Sequence, residues 1–398
     1  MHVCLVSRAV LAHGPGGMQE HTIRLAEGLA RKGHEVTVLT TPHPEGVAEE
    51  VTAGVRTLYL GAGEPGCYSP TFFAKAREHV ARLERETHLD VIHSQSVGAQ
   101  SIRNPHVPVL AFIHGTYLSE SPLWSTYLAS LDTLEMLRTI RRSWRFVLME
   151  LSMASFCRRA DGVAVVSQFS KRLVERMLVG SRTPVTVISH GIDTSRFRPL
   201  DQVESRAKLG LSPGTPTMLT VGRLVRTKGF HVGIEAIRRL GDCAATLVVA
   251  GEGEEGEALK TQAVRTGVAS KVQFLGRVPE ALLPSLYSAA DIFVYTELVA
   301  PAFGLVSAEA MACGVPVIAS ANGAQPEIVT PEVGLLVRGG DPDALAAAIK
   351  KLLGSASTRA RMGEQGRRRV KEKFEYGRMV DETAGLYEEL IERAGRSP

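Results

Sequence analysis

The chain between residues 291 and 320 reads DIFVYTELVAPAFGLVSAEAMACGVPVIAS. An apolar run at 292–295 comes first, a loop follows, and a helix of small residues is predicted over 305–313. Gly314 ends this helix, and a second apolar run occupies 315–320. Because parallel strands need a crossover segment between them, this strand–loop–helix–strand order predicts a parallel sheet covered by helices.

The same order extends outward in both directions, and the apolar runs are continuous, which favours strands buried on both faces. The further predicted strands are residues 3–7, 36–40, 91–94, 109–114, 162–167, 185–189, 217–222, 245–251, 271–276 and 334–337. Residues 196–213 lack such a run and contain two prolines, which predicts a linker. We therefore predict an α/β protein with two Rossmann-like domains, at 1–195 and 214–375. A C-terminal helix is predicted within 376–398. Crossing back to the first domain is one arrangement that the sequence allows for this helix.

Composition limits the function classes. The chain has 398 residues, enough for two cores, and 46 Lys+Arg against 42 Asp+Glu give a net charge of +4. This excess is too small to indicate nucleic acid binding. The five cysteines lack metal-ligand spacing, the N-terminus lacks the features of a signal peptide, and no stretch is apolar enough to span a membrane. We therefore expect reduced thiols and a cytoplasmic location, with the inner face of the membrane as an alternative.

Residues 115–160 interrupt the alternation of strands and helices, because they contain no predicted strand and a long predicted helix over 130–159. It combines Arg138, Arg141, Arg142 and Arg145 with bulky apolar residues such as Trp144. One interpretation is peripheral contact with an anionic membrane surface through 130–159. The other, which we favour, is a helix packed on the first domain with its arginines in solvent.

Two features of the first half suggest ligand contacts. Gly16 and Gly17 precede a predicted helix, where free backbone N–H groups attract an anion. His114 ends a predicted strand and is followed by glycine, so its ring is expected in the ligand crevice at the carboxyl edge of the sheet. A structural role for His114, satisfied by protein neighbours, stays open.

The second half places cations at the same kind of edge. Arg223 and Lys228 follow the first strand of the second domain. Together they suit a diphosphate, because the guanidinium group of arginine offers a forked pair of donors and the ammonium group of lysine a compact positive charge. A solvated basic turn is the alternative. Gly222 ends this strand and is a further donor-binding candidate. The turns that end the next two strands are expected to contact a base or ribose through their backbone, and they contain Gly251, Gly253, Gly276 and Arg277.

Glu309 is the single charged residue of the predicted helix at 305–313. A carboxylate among apolar residues needs a partner, because burial of an unpaired charge is costly. A ribose diol and a structural arginine are the two candidates. Gly304, at the start of the helix, offers free N–H groups to sugar or phosphate oxygens.

Taken in order along nearly the whole chain, these segments resemble glycosyltransferase family 4, the retaining transferases of the GT-B fold. The resemblance rests on Gly16-Gly17 with the helix ending at 29–36, on the segments 166–171 and 188–193, on Gly222-Arg223-Leu224 with Lys228-Gly229, and on Phe303-Gly304-Leu305 with 309–314.

The resemblance implies two Rossmann-like domains with parallel sheets facing a central cleft, and a nucleotide-sugar donor. Arg223 and Lys228 would hold the diphosphate and Glu309 the ribose. The backbone of Phe303, Gly304 and Leu305 would contact the donor sugar. Gly16 and Gly17 would lie near the phosphates and the acceptor, and His114 would contact the transferred sugar. No metal and no other cofactor are expected, because fixed cations take the metal's place.

One position departs from the family pattern, in which two glutamates are eight residues apart. Eight residues before Glu309 stands Pro301, and the nearest upstream acid is Glu297. Either Glu297 reaches the site or the carboxylate that touches the donor sugar is missing. We favour the second, because Pro301 fixes the backbone close to the helix start.

The expected reaction moves a sugar from a nucleoside diphosphate to an acceptor hydroxyl with retained configuration. The nucleotide, the sugar and the acceptor stay open, and the acceptor is a lipid, a sugar or a small metabolite. Two alternatives are a nucleotide-sugar epimerase or phosphorylase of the same fold, and a non-catalytic nucleotide-sugar-binding subunit.

Overall fold

A computed structural model describes residues 1–14, 16–61, 63–103, 106–117 and 146–395. They form two compact units, and each unit has its own sheet. The first unit contains the described parts of 1–117, 146–191 and 377–395, and the second contains 192–376.

The first unit is built on a sheet with strand order β3-β4-β2-β1-β5-β6-β7-β8. The strands are β1 (His2–Val6), β2 (Glu35–Thr40), β3 (Glu49–Thr52), β4 (Val55–Tyr59), β5 (Val91–Gln95), β6 (Val109–Ile113), β7 (Gly162–Val165) and β8 (Val185–Val187). Its helices before residue 192 are α1 (Gly17–Arg31), α2 (Pro70–Glu86), α3 (helical over 146–157) and α4 (Gln168–Met177). All residues of β1, β5 and β6 are buried, as their continuous apolar runs predict.

The sheet of the first unit contains a hairpin that the sequence analysis missed. β3 pairs antiparallel with β4, whereas the other strand pairs of this sheet are parallel. β3 is a mostly exposed edge strand, so it has no apolar run to reveal it. The prediction of an entirely parallel sheet was therefore wrong at this edge.

The second unit has the strand order β11-β10-β9-β12-β13-β14, and all its strand pairs are parallel. These strands are β9 (Thr217–Val221), β10 (Thr246–Ala250), β11 (Val272–Gly276), β12 (Ile292–Tyr295), β13 (Val317–Ser320) and β14 (Gly334–Val337). The helices are α5 (Gln202–Lys208), α6 (Phe230–Arg239), α7 (Gly256–Arg265), α8 (Leu283–Ser288), α9 (Leu305–Ala312), α10 (Gln325–Ile328), α11 (Pro342–Leu353) and α12 (Ala356–Lys373). The predicted alternation of strands and helices is confirmed in this unit.

Residues 196–213, predicted as a linker, lie within the second unit and contain α5. The buried Arg206 explains this placement. Its guanidinium donates to the carbonyls of Ala289 and Pro213 and to the Asp291 carboxylate, the last at 2.7 Å. This buried, hydrogen-bonded arginine fixes the segment on the residues between α8 and β12 rather than leaving it as a connector.

The last helix, α13 (Tyr376–Arg393), groups with the first unit from Gly377 onward. Tyr387 on this helix is fully buried, and its hydroxyl shares a 2.6 Å hydrogen bond with Nδ1 of His93 on β5. The chain therefore ends in the unit in which it began.

The long helix predicted over 130–159 is described only from residue 146 onward, and the remainder lies outside the described residues. In α3 the side chains of Met153, Phe156 and Cys157 are buried, whereas Leu148 and Leu151 are 64% and 61% exposed. One face of α3 thus packs on the first unit and another presents apolar side chains. In the part of the chain that the structure describes, no helix is both long and apolar enough to cross a bilayer. The five cysteines are free thiols.

Candidate functional site

The sheet of the second unit reverses its order between β9 and β12. In open α/β sheets, ligands bind beyond the carboxyl ends of the strands at such a reversal. A short 3-10 turn, Arg226–Lys228, follows β9, and Thr296 and Glu297 follow β12. The loop with the predicted phosphate lysine therefore lies at the position where the topology predicts a ligand.

Lys228 and Glu297 form an ion pair at this point. Nζ of Lys228 lies 2.7 Å from Oε1 of Glu297, and the second carboxylate oxygen accepts a hydrogen bond from the Tyr295 hydroxyl. The Glu297 side chain is 6% exposed and the Lys228 side chain 32%. Burial raises the pKa of Glu297, and the charges of Lys228 and Arg223 act in the opposite direction. One buried carboxylate thus holds the ammonium group at the reversal point.

The sequence analysis favoured the interpretation that Glu297 does not reach the site. The structure shows that Glu297 contacts the predicted phosphate lysine 69 residues earlier in the chain, and the absence of a carboxylate at the donor sugar stays a prediction. Pro301 and the helix start do not prevent this contact, since Glu297 is placed by the end of β12 and not by α9. A contact between Glu297 and a sugar stays a prediction.

Gly229 allows the loop after β9 to approach β12 closely. Its φ is +69°, and a Cβ atom here would lie 2.1 Å from the Thr296 carbonyl oxygen. The Thr296 hydroxyl donates to the Lys228 carbonyl at 2.9 Å, and the Leu298 N–H donates to the Thr227 carbonyl at 2.8 Å. Lys228 is therefore fixed through its own backbone as well as through its side chain.

The predicted glycine turns lie side by side at the ends of β9, β10 and β11. Gly251 has φ +137°, and a Cβ atom would lie 1.9 Å from the Gly222 carbonyl oxygen. Gly253 packs in the same way on Leu224, and the Gly251 N–H donates to the Gly276 carbonyl at 2.7 Å. The glycines thus bring three strand ends into one surface.

Two exposed arginines accompany these turns. Arg223 follows Gly222 in the loop after β9, and Arg277 directly follows β11. The Arg223 charge is close enough to Glu297 to lower the pKa of that carboxyl. Arg223, Lys228 and Glu297 therefore share one electrostatic environment.

The helix α9 begins at Leu305 with Gly304 as its N-cap, as predicted, and it ends at Ala312. The Gln325 side chain donates to the Phe303 carbonyl at 2.9 Å and accepts from the Ser307 hydroxyl at 3.1 Å. This amide group fixes the start of α9 by linking the preceding loop to the first turn of the helix.

Glu309 lies half-buried on α9, and a tyrosine is one of its partners in the structure. The Tyr287 hydroxyl on α8 donates a 2.5 Å hydrogen bond to Oε2 of Glu309. Burial, with the nearby Glu309 charge, raises the pKa of Tyr287 well above its usual value. The phenol therefore stays protonated and can hold the carboxylate. The role of Glu309 in ribose binding stays a prediction.

The residues predicted in the first half belong to the first unit. Gly16 is the N-cap of α1 and Gly17 its first residue, and both are exposed. His114 follows β6, and its Nε2 is hydrogen-bonded to the Gln95 side chain. Burial and two neighbouring histidines lower the pKa of His114 well below its usual value. Its predicted contact with a sugar stays a prediction.

Three supporting residues were missed by the sequence analysis: Tyr287, Tyr295 and Gln325. Tyr287 and Tyr295 each donate one hydrogen bond to a carboxylate, and Gln325 makes two hydrogen bonds at the start of α9. They lie on α8, β12 and α10. The hydrogen bonds of Tyr287 and Gln325 join elements that are not consecutive in the chain. A single sequence has no pattern that would identify the three residues.

Comparisons with known proteins agree with this architecture. Residues 15–196 match the model for "Glycosyltransferase Family 4", and residues 201–369 match "Glycosyl transferases group 1". The D-inositol 3-phosphate glycosyltransferase of Nocardia farcinica is 30% identical over 373 residues, which cover 87% of this chain and 79% of that protein. An uncharacterized glycosyltransferase of Methanocaldococcus jannaschii is 29% identical over 402 residues, with 96% of both chains covered.

Solved structures give the same result. Sucrose-phosphate synthase from Thermosynechococcus elongatus superposes with a TM-score of 0.83 at 25% identity, covering 99% of this chain and 100% of that one. Anabaena HepE in complex with UDP-glucose has a TM-score of 0.75 at 20% identity, over 98% of this chain and 100% of that one.

Fold and sequence together define a glycosyltransferase of the GT-B class. More specifically, the chain belongs to glycosyltransferase family 4. The comparisons do not favour the epimerase, phosphorylase or non-catalytic alternatives.

Proposed function

We propose that this glycosyltransferase takes its sugar from a nucleoside diphosphate sugar and retains the anomeric configuration. The observation that supports this most is the Lys228–Glu297 pair at the reversal between β9 and β12. An ammonium group held at that point, with the exposed Arg223 on the same loop, suits an anionic diphosphate. The relatives include a GDP-mannose-dependent mannosyltransferase, and Anabaena HepE was solved with UDP-glucose.

The donor would bind along the strand ends of the second unit. The diphosphate would contact Arg223 and Lys228, the ribose would contact Glu309, and the sugar would lie against the backbone of 303–305. Glu309 suits this task because the Tyr287 hydroxyl fixes one of its oxygens and thereby orients the carboxylate. A pre-oriented carboxylate loses little freedom when a diol binds to it.

For the proposed retention of configuration, the same pair argues against a double displacement on Glu297. Glu297 is the carboxylate that contacts Lys228, and both its oxygens already have hydrogen-bond donors, so it is a poor nucleophile. The diphosphate would instead leave with its developing charge stabilised by Lys228 and Arg223. The acceptor hydroxyl would attack from the same face, and a leaving phosphate oxygen would take its proton. Catalysis would then depend on positioning and on charge.

Donor screening combined with product analysis tests the proposal. UDP-, GDP- and ADP-sugars are compared by thermal shift, and the stabilising donor is offered an inositol phosphate, phosphatidylinositol vesicles and an oligoglucan. A donor at a hundredfold excess over its Kd should stabilise the folded protein by about 2.7 kcal/mol. Proton NMR of the product should show the donor's own anomeric configuration.

The corresponding nucleoside monophosphate is the matched control, because it lacks the second phosphate that Lys228 and Arg223 would bind, and it should stabilise less. An inverted product would contradict the retaining mechanism. Equal stabilisation by the monophosphate would contradict the diphosphate site.

A further inference from the structure

Glu297 is held in place by residues from three parts of the second unit. The Tyr295 hydroxyl on β12 donates to its Oε2, and Nζ of Lys228 lies 2.7 Å from its Oε1. The side-chain amide of Asn322, which follows β13, donates to the Glu297 carbonyl at 3.0 Å. The backbone and the carboxylate of this glutamate are therefore both fixed, although the residue lies in a loop.

The hydrogen bonds around Lys228 fix its main chain but not its ammonium group. The Thr296 hydroxyl donates to the Lys228 carbonyl, and the Leu298 N–H donates to the Thr227 carbonyl. Neither contact restrains the flexible four-carbon stem of the lysine. The position of Nζ therefore depends on what the ammonium group itself contacts.

Glu297 provides that contact. In the part of the chain that the structure describes, the ion pair of Lys228 is the one with Glu297. A carboxylate that is itself fixed selects one position for Nζ and occupies one of its three N–H groups, so two can bind an anion. Protein kinases use the same principle, since their phosphate-binding lysine must be paired with a glutamate for phosphoryl transfer.

We propose that Glu297 is a positioning residue for the sugar transfer, which holds the Lys228 ammonium group where the leaving diphosphate develops its charge. This inference rests on the proposed function, and it does not require Glu297 to touch the donor. Because the carboxylate is itself negative, it improves the placement of Lys228 without adding attraction for a diphosphate. Its contribution is therefore expected in kcat and not in donor affinity.

Kinetics and binding of Glu297→Gln test the positioning role, because the amide keeps the size of the side chain and removes its charge. Turnover is measured as release of nucleoside diphosphate from whichever of the UDP-, GDP- and ADP-sugars stabilises the wild-type chain most. Calorimetry gives the Kd of the same nucleoside diphosphate. A misplacement of about 1 Å can cost about 10²-fold, so we expect kcat to fall about tenfold or more. The Kd should stay within about threefold of wild type or become tighter.

The matched control is Glu257→Gln, which breaks an exposed lysine–glutamate pair on α7 of the same unit. It should change neither kcat nor the Kd.

A pH profile of the wild-type chain gives a measurement that needs no variant. Among the described residues, the titratable groups that face Glu297 are Lys228, Arg223 and Tyr295. Burial raises the pKa of Glu297, and the two cations act in the opposite direction. As the pH falls through this pKa, the carboxylate takes up a proton and releases Lys228, so kcat should fall. This fall should be absent in Glu297→Gln.

Tyr295→Phe provides a second variant that nearly keeps the side-chain volume. It removes the donor to Oε2 of Glu297 and should lower kcat about threefold or more without a change of the Kd.

Wild-type kcat in Glu297→Gln together with a slow Lys228→Ala would overturn the positioning role and leave the diphosphate site intact. Equal losses of kcat and of affinity for the nucleoside diphosphate would also overturn it, because they indicate a general structural role. Wild-type behaviour of both Lys228→Ala and Glu297→Gln would overturn the proposed function as well.

Discussion

The two units have related sheets but different chemistry at the carboxyl ends of their strands. In the second unit, opposite charges meet between β9 and β12, where Lys228 pairs with the buried Glu297. In the first unit, the residues after β6 and β8 include His114 and His190, which burial keeps neutral. A buried charge persists only with a partner, whereas a buried histidine without an acidic partner loses its proton. The charged edge therefore suits an anion, whereas these histidines add no fixed charge to the other edge.

The largest effect is expected from removing the cation at the charged edge. Lys228→Ala should lower kcat about 10²- to 10³-fold, because one fixed group that stabilises developing charge contributes about 2.7–4 kcal/mol to the transition state. Steady-state kinetics with the donor identified by thermal shift measures the effect.

Lys260→Ala is the matched control for Lys228→Ala, because Lys260 lies on α7 of the same unit and pairs only locally with Glu257 in an exposed position. It should retain wild-type turnover. If kcat of Lys228→Ala stays within twofold of wild type, the proposed functional difference between the carboxyl edges of the two sheets is wrong.

A pair of tyrosine variants sharpens the comparison. Tyr287→Phe removes the hydrogen bond to the Glu309 carboxylate, and Tyr387→Phe removes the one to neutral His93. Hydrogen bonds to charged groups contribute about 1.5–3 kcal/mol and neutral ones about 1 kcal/mol. Tyr287→Phe should therefore lower the free energy of unfolding by about 2 kcal/mol and raise the KM for the donor several-fold.

Tyr387→Phe should lower the free energy of unfolding by about 1 kcal/mol and leave the KM for the donor unchanged. Urea unfolding and donor kinetics are measured on both tyrosine variants. Equal changes of KM in the two variants would mean that Tyr287 acts through general stability and not through Glu309.

The smallest effect concerns the acid side of the stability profile. Burial lowers the pKa of His93 to about 3, whereas an unfolded histidine titrates near 6.5. Below pH 6.5 the unfolded chain therefore binds the extra proton, and stability falls as the pH falls toward 3. His93→Asn keeps an acceptor for Tyr387 and should lose about 0.7 kcal/mol less than wild type from pH 7 to pH 6.

Urea unfolding at several pH values measures the slope of the wild type and of His93→Asn. Lys260→Ala should follow the wild-type slope, because it changes no buried group. Parallel profiles for wild type and His93→Asn would show that His93 is not held neutral by the fold.

The sequence predicted most strands and helices, but it did not predict which elements and side chains contact each other. Apolar runs located the strands of both sheets except β3 and β4, and glycines located the end of α1 and the start of α9. The hairpin β3–β4 was missed because β3 has little buried surface. The linker at 196–213 was placed where α5 lies, because nothing in the sequence shows that Arg206 is buried against the residues before β12.

The sequence by itself determined the alternation of buried strands and helices. It marked Arg223 and Lys228 as charges at a strand end, and Glu309 as the single charge of a helix. Only the tertiary structure decided that Lys228 pairs with Glu297, that Tyr287 holds Glu309, and that three histidines between positions 21 and 190 meet. The physical reason is the topology of a parallel sheet. Crossover helices bring the carboxyl ends of strands to one edge in an order that differs from their order in the chain.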